Sequence, residues 1–342
     1  MFVIDAAERG LVPDRLLRLG VEQLVRQRLR DEAARDARTP GGFVHSFVED
    51  LKRAPIALVP AAANAQHYEV PADFFVEVLG RHLKYSCGLW REGVFTLDDS
   101  EAAMLALTCE RAQLEDGQAV LELGCGWGSL SSWMAERYPR SRILAVSNSA
   151  SQRAFIEARA KARGITNLEV VTADINDFST ERRFDRVVSV EMFEHLRNYE
   201  RLLGRVASWL SPGGKLFVHV FSHRHHAYPY DDEGPQDWMA RNFFSGGLMP
   251  SDDLLLHFQR DVVLEERWRV DGTHYQRTAE AWLERLDGRR AAVVSVFRRH
   301  HARAEAERWF HRWRLFFLGV SGLFGFDAGR QWGVTHSRFA KR

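Results

Sequence analysis

Hydrophobic and polar positions along this chain keep two different periods. After Pro13 and Asp14, apolar side chains recur at Leu16, Leu17, Val21, Leu24, Val25 and Leu29 among arginines, the spacing of one amphipathic helix face. TPGG at 39–42 interrupts that period. A second helix-like stretch carries Phe43, Phe47, Val48 and Leu51, and APIALVPAAANA reads as a linker. A membrane-surface anchor or a dimer arm could use such helices, but most amphipathic helices pack on their own domain.

From about residue 118 the period shortens. QAVLELG, SRILAVS, LEVVTA, DRVVSV and GKLFVHV are short β-branched runs separated by helical patterns. That alternation predicts an α/β fold, a parallel sheet of βαβ units with helices on both faces. DVVLEERWRV is the expected sixth strand and WGVTHSRF the last. Two insertions, a polar and aromatic one at 222–259 and a helical block rich in Trp and Phe at 277–322, follow the fifth and sixth strands. Both can therefore cover the carboxyl edge of the sheet, where α/β folds bind ligands.

Composition narrows the function classes. The 342 residues are 45% hydrophobic and 27% charged, enough for one large core with accessory layers or for two domains. Forty-seven Lys and Arg against 46 Asp and Glu leave a formal charge of +1, which supplies no field for nucleic acid. Cys87, Cys109 and Cys125 are an odd number at spacings that suit neither a disulfide framework nor zinc, so a reducing, cytoplasmic setting is expected. No run approaches the roughly 20 apolar residues that span a bilayer, and MFVIDAAERGLVPD lacks a signal peptide's basic start and apolar run. No stable membrane insertion is expected, while apolar patches on the N-terminal helices leave room for a homodimer.

LELGCGWGSL places Gly124, Gly126 and Gly128 directly after the first strand and at the start of a helix, where glycines let backbone approach a ligand near a helix N-terminus. A dinucleotide fingerprint reads G-x-G-x-x-G with an acid some 20 residues on. Here Ser129 stands at the last glycine's place and the second strand ends in Ser147 and Asn148, which argues against NAD.

Glu122 to Gly128 instead resembles the first motif, E/D-x-G-x-G-x-G, of class I S-adenosylmethionine (SAM) methyltransferases. HLKYSCGLW, VLELGCGWGSL, VSNSASQ, ADI, VEMFEHLRNYE and FVHVFS, in that order, look like the cyclopropane fatty acid synthase superfamily. HYEVPADFF, FFSGGLMPSDDLLLHFQRDV, GTHYQRTAEAWLERLD and RLFFLGVSGLFGF followed by QWGVTHSRF are similar to its coclaurine N-methyltransferase-like branch. The resemblance implies a Rossmann-like, seven-stranded mixed sheet, with a 1–67 helical segment, a 68–342 methyltransferase domain and capping insertions at about 222–259 and 270–328. It implies SAM as cofactor, with Tyr85 and Ser86 near the carboxypropyl end, Gly124, Gly126 and Gly128 under the methionine moiety, and Ser147, Asn148 and Gln152 at the ribose. Asp174 and Ile175 would meet the adenine, and Glu122 and Val190 complete the cofactor set. Asp174 also suits a helix N-cap.

VSVEMFEHL begins as a buried strand and then sets Glu191, Glu194 and His195 within five residues. If a helix starts there, the three share one face. An ammonium must lose a proton before it attacks an electrophile, and histidine with a carboxylate to attract the cation suits that task. A solvated helix start with dipole-friendly acids uses the same run. In the branch it resembles, the matching glutamates and histidine bind and deprotonate a substrate amine, so Glu191, Glu194 and His195 are the implied catalytic set. Tyr68, Phe317, Phe324 and Trp332 are candidate ring faces for the cations.

A cyclopropane synthase instead methylates an alkene and holds bicarbonate with a Cys, Glu, His and Tyr set. Cys87, Glu194 and His219 match three of these, and Phe317 stands at the Tyr position. Cys87 also suits a plain buried thiol. The expected function is N-methylation of a small, tetrahydroisoquinoline-like amine. The alternatives are methyl or methylene transfer to an unsaturated acyl chain and a non-catalytic SAM-binding module. His223, His225 and His226 near Asp231 and Asp232 fit no familiar zinc spacing, so no metal is expected.

Overall fold

The computed structural model describes residues 2–39, 42–58, 70–230 and 238–342. Tyr68, the expected domain boundary beside it, most of the linker and Asp231 and Asp232 lie outside the described residues. Helix α1 (Phe2–Glu8) leads into α2 (Asp14–Arg38), α3 (Phe43–Arg53), α4 (Ala72–Val78) and α5 (Leu97–Arg111). The βα units are β1 (Ala119–Leu123), α6 (Ser129–Arg137), β2 (Arg142–Ser147), α7 (Ala150–Ala162), β3 (Leu168–Thr172), β4 (Phe184–Val190), α8 (Tyr199–Trp209) and β5 (Leu210–His223). Then come α9 (Trp238–Phe243), β6 (Val262–Asp271), α10 (Gly272–Gly288), α11 (Arg290–Arg298), α12 (Arg303–Gly325) and β7 (Trp332–Lys341).

One sheet runs β3-β2-β1-β4-β5-β7-β6, parallel as far as β5, with β7 antiparallel to both of its neighbours. Leu121, Leu123, Val187 and Val188 are buried completely, which is why these strands read as continuous apolar runs rather than alternations. Strand order reverses between β1 and β4, where Leu123 pairs with Ser189, so a crevice opens at their carboxyl ends. Local caps set the helices that follow: the Ser149 hydroxyl accepts from the Gln152 amide at the start of α7, and Thr96 does the same for Asp99 in α5.

The helical block forms the roof. Trp313, Phe316 and Phe317 of α12 and Trp282 of α10 build a core with Phe74 and Phe75 of α4. Helix α2 lies on this layer, burying Val25 and resting Leu17, Val21 and Leu29 against it. Leu16 and Leu24, expected on the same packed face, are 58% and 54% exposed and instead wall a cavity. No helix among the described residues is long and apolar enough to cross a membrane.

Candidate active site

The glycine loop occupies the crevice. Gly124, Gly126 and Gly128 all have left-handed φ, +78°, +52° and +76°. The Gly124 and Cys125 amides both donate to the Val146 carbonyl at 3.0 Å, which turns the chain sharply off β1. A Cβ at Gly124 would lie 2.8 Å from Met192 and one at Gly128 2.8 Å from Ile156, whereas one at Gly126 would meet nothing within 4 Å. Only Gly126 therefore keeps its face open to a ligand. Glu122, at the end of β1, is buried and accepts from the Ser131 hydroxyl; burial raises its carboxyl to about 7.

Beyond the loop, Ser147, Asn148, Gln152 and Ile175 line a small cavity of about 70 Å³. The Ser147 hydroxyl donates to Gln152 Oε1 at 2.7 Å, leaving the buried Gln152 Nε2 without an acceptor among the described residues. An orphaned donor beside a polar cleft fits a ligand hydroxyl, as a ribose provides. Asp174 caps no helix: its carboxylate accepts from the Asn176 amide at 2.8 Å in a turn at 175–177, and it is Ile175 and Ala173 that line the cavity.

A loop after α4 brings Lys84, Tyr85 and Ser86 to the opposite wall. Its shape is held by Glu101 of α5, a fully buried acid that accepts from the amides of Gly80 and His82 at 2.9 Å and of Lys84 at 3.3 Å. These bonds accommodate Leu83 at φ +53°, a conformation that a branched side chain rarely adopts. Burial lifts Glu101 to about 7 against the pull of those amides and of Lys84. Glu101→Ala strands three backbone donors, two of them buried, and a loss of about 3 kcal/mol in urea-denaturation stability is expected; unchanged stability would show that the loop holds itself.

The acid cluster points inward. Glu191 leaves β4 with φ +46°, so the chain does not continue into an α-helix; a single 3₁₀ turn, Phe193–His195, follows. The condition for a shared helix face of Glu191, Glu194 and His195 is therefore not met, and a left-handed residue plus a tight turn bring all three to the same cavity. Strain at a non-glycine residue marks a place where surrounding contacts over-determine the backbone. Here those contacts are visible: the Glu191 amide donates to the His219 carbonyl at 2.8 Å, Tyr275 Oη donates to Oε2 at 2.6 Å, and His219 Nε2 and the Cys87 amide both lie 3.3 Å from Oε1. Burial raises Glu191 to about 7, opposed mainly by Lys84.

Glu194 is 1% exposed, and its Oε2 has no partner among the described residues. Burial first, and the charge of Glu191 second, push its carboxyl well above the ordinary range. The His195 ring stacks on Phe244 with centroids 5.9 Å apart and planes 11° off parallel.

The main cavity measures about 1180 Å³ and shares Gly124, Gly126 and His195 with the smaller one. Both acids, Glu122, Val190, Tyr85 and Ser86 line it, and Phe324, Phe316, Phe244 and Tyr230 offer ring faces. Phe317 and Trp332 sit behind this wall. Phe317 packs on Trp282 and Phe316, and the Trp332 indole donates to the Tyr228 hydroxyl at 3.1 Å. Cys87 and His219 are fully buried behind Glu191 rather than on the surface of the cavity, and burial raises the thiol. His223 Nδ1 accepts from the amides of His225 and His226, so that turn spends its imidazole on its own backbone.

Tyr275, Lys84 and Phe244 escaped the sequence reading. Tyr275 and Lys84 lie inside motifs quoted above, but a tyrosine on an amphipathic helix reads as core and a lone lysine reads as surface. Phe244 carries no signal beyond its place in FFSGGL.

Residues 59–325 match the sequence pattern described as mycolic acid cyclopropane synthetase. The chain belongs to that family. Within it the (S)-coclaurine N-methyltransferase of Thalictrum flavum subsp. glaucum is 37% identical over 99% of this chain and 95% of that protein. The cyclopropane-fatty-acyl-phospholipid synthase of Escherichia coli (strain K12) is 30% identical over 95% of this chain and 77% of its own length. A crystal structure of coclaurine N-methyltransferase bound to N-methylheliamine and SAH superposes with a TM-score of 0.93 at 34% identity, covering 99% of both chains. The mycolic acid cyclopropane synthase CmaA1, complexed with SAH and CTAB, shares the fold at a TM-score of 0.71 and 20% identity. This member of the family is a SAM-dependent methyltransferase of the coclaurine N-methyltransferase-like branch.

Proposed function

We propose that this enzyme N-methylates a small, aromatic-bearing secondary or tertiary amine of the tetrahydroisoquinoline type. The observation that carries this reading is the buried Glu194 carboxyl, whose Oε2 has no partner among the described residues, beside His195 at the junction of the two cavities. Tyr85, Ser86, Glu122, Val190 and the three glycines would hold the methionine end of SAM, with Ser147, Asn148 and Gln152 at the ribose and Asp174 and Ile175 at the adenine. The open face at Gly126 and the orphaned Gln152 amide fit that ligand. When bound, SAM supplies an electrophilic methyl group.

The chain's own residues do the rest. Glu194 and Glu191 give the pocket negative charge to draw an ammonium out of water, and the rings of Phe244, Tyr230, Phe316 and Phe324 surround it with π faces and exclude solvent. His195, oriented by its stack on Phe244, takes the proton so that the nitrogen lone pair faces the glycine loop. In a cyclopropane synthase an anion would sit among the donors that correspond to Cys87 and His219. Here those donors converge on the Glu191 carboxylate, which repels a second anion, and Phe317 adds no hydroxyl. That arrangement supports the amine over the lipid.

Incubation with SAM and either tetrahydroisoquinoline-like amines or vesicles of unsaturated phospholipid tests the reading, with mass spectrometry as readout. N-methylated amine is the expected product; methylation or cyclopropanation of lipid alone would overturn it. Burial and the charge of Glu191 raise the Glu194 carboxyl, so at a pH below its titration it must give up a proton to meet an ammonium. Amine binding in the presence of S-adenosylhomocysteine should therefore release protons on the acid side of that titration, and the release should fade as the pH rises through it. Calorimetry in buffers of different ionisation heat measures this, and proton uptake would contradict it.

A further inference from the structure

Behind Glu191 a line of buried groups crosses the sheet and ends at a helix terminus. We infer that Arg111, at the last position of α5, sets the direction of a hydrogen-bonded chain through His336 and His219 and so holds Glu191 as an ionised acceptor. Arg111 is a positioning residue for the site, acting through two imidazoles.

The geometry is continuous. Arg111 Nη1 lies 2.8 Å from His336 Nδ1, His336 Nε2 lies 2.8 Å from His219 Nδ1, and His219 Nε2 lies 3.3 Å from Glu191 Oε1. His219 and His336 are register partners on β5 and β7, and both are completely buried. The Arg111 guanidinium is fixed over the ring of Trp268, the residue of β6 that pairs with His336, at 4.9 Å from the centroid. Its backbone carbonyl accepts from Arg338 Nη1 at 2.9 Å.

A guanidinium has only N–H donors and does not deprotonate in proteins. His336 must therefore offer a lone pair at Nδ1. An imidazolium there would set two cationic donors face to face at hydrogen-bond distance. Neutral His336 then carries its one proton on Nε2 and donates to His219 Nδ1. His219, neutral for the same reason, keeps its proton on Nε2 and donates to Glu191. Burial and the nearby cations hold both rings well below their ordinary range, which agrees with two neutral tautomers. Each link is forced by the one before it, and only Arg111 has a fixed direction of its own.

Without that donor the chain can run backwards. His336 would hold its proton on Nδ1, His219 would donate to His336, and a lone pair on His219 Nε2 would face the carboxylate. Glu191 would then have to keep a proton to bond it, and the pocket would lose the charge that attracts an ammonium. Glu191 is also faced by Lys84 and Cys87 from the loop after α4, by Glu194 from the 3₁₀ turn and by Tyr275 from α10. Arg111 is faced by Glu110 and Glu266. Among these groups, Lys84 and Tyr275 hold Glu191 in either direction of the chain, so reversal weakens the site without abolishing it.

The clause about ammonium rests on the amine reading proposed above; the tautomers do not. Nitrogen NMR of histidine-labelled, folded enzyme should show Nδ1 unprotonated and Nε2 protonated for both His219 and His336. In Arg111→Met, His336 should move to the Nδ1–H form, and the acidic limb of kcat/KM for the amine should shift upward by about one pH unit with SAM affinity retained. Arg111→Lys, which keeps a cationic donor, should restore much of both. Nδ1–H tautomers in the wild type, or an Arg111→Met protein that leaves tautomers and limb unmoved, would overturn the inference. Correct tautomers in an enzyme that methylates no amine would instead sink the substrate reading and leave the chain standing.

Discussion

Replacing His195 with alanine should lower turnover about 10³-fold while changing SAM affinity little, the size expected when a positioned general base is lost. His195 belongs to both cavities, so its ring stands where a nucleophile would meet the transferable methyl. Its stack on Phe244 limits the ring to one plane, and the 3₁₀ turn that carries it is pinned by the Tyr199 hydroxyl, which donates to the Phe193 carbonyl at 2.8 Å. A base held this way removes the ammonium proton without reorganising. The loss should be smallest at high pH, where part of the amine enters already neutral, and single-turnover assays from pH 7 to 10 would show the gap closing. Wild-type turnover at pH 7, or a loss that tracks weakened SAM binding, would remove His195 from that role.

How much of this was legible beforehand depends on which forces wrote it. The strands of the sheet were readable because parallel core strands must be apolar on both faces, and Leu121, Val187 and Val188 leave no alternative reading. The glycine loop was readable because glycine takes left-handed positions without steric penalty, and three glycines follow directly on β1. Glu191 was readable as a candidate but not as a geometry. Nothing in VSVEMFEHL announces a left-handed glutamate, because that conformation is imposed by Tyr275, Cys87 and His219, which lie 84, 104 and 28 residues away. The run that could have opened a helix therefore makes a 3₁₀ turn. Arg111 and His336 were invisible for the same reason: their meaning exists only after α5, β5 and β7 have been placed side by side. The N-terminal helix was legible as amphipathic, yet its apolar stripe is divided between core and cavity, a division that periodicity cannot express.

Glu194→Gln should be nearly as damaging to kcat/KM as the loss of His195, but through binding rather than proton transfer. The two acids differ in what surrounds them. Glu191 has both oxygens occupied by the Cys87 amide, His219 and Tyr275, whereas Glu194 keeps one oxygen for the ligand. Glutamine preserves shape and removes the charge, so an ammonium entering the pocket would lose its nearest counter-ion in a dry site. Breaking a buried pair of this kind costs about 3–5 kcal/mol, which corresponds to roughly 10²–10⁴-fold in amine affinity. The pH dependence should change in a way a merely weakened pocket would not show. In the wild type, lowering the pH protonates the raised Glu194 carboxyl and opposes ammonium binding. In Glu194→Gln that opposition is gone, leaving Glu191 as the raised carboxyl of the pocket. The proton released when the amine binds should disappear together with the affinity. If Glu194→Gln binds and turns over the amine as the wild type does, the charge that recruits substrate resides on Glu191 alone, and the open oxygen of Glu194 has some other purpose.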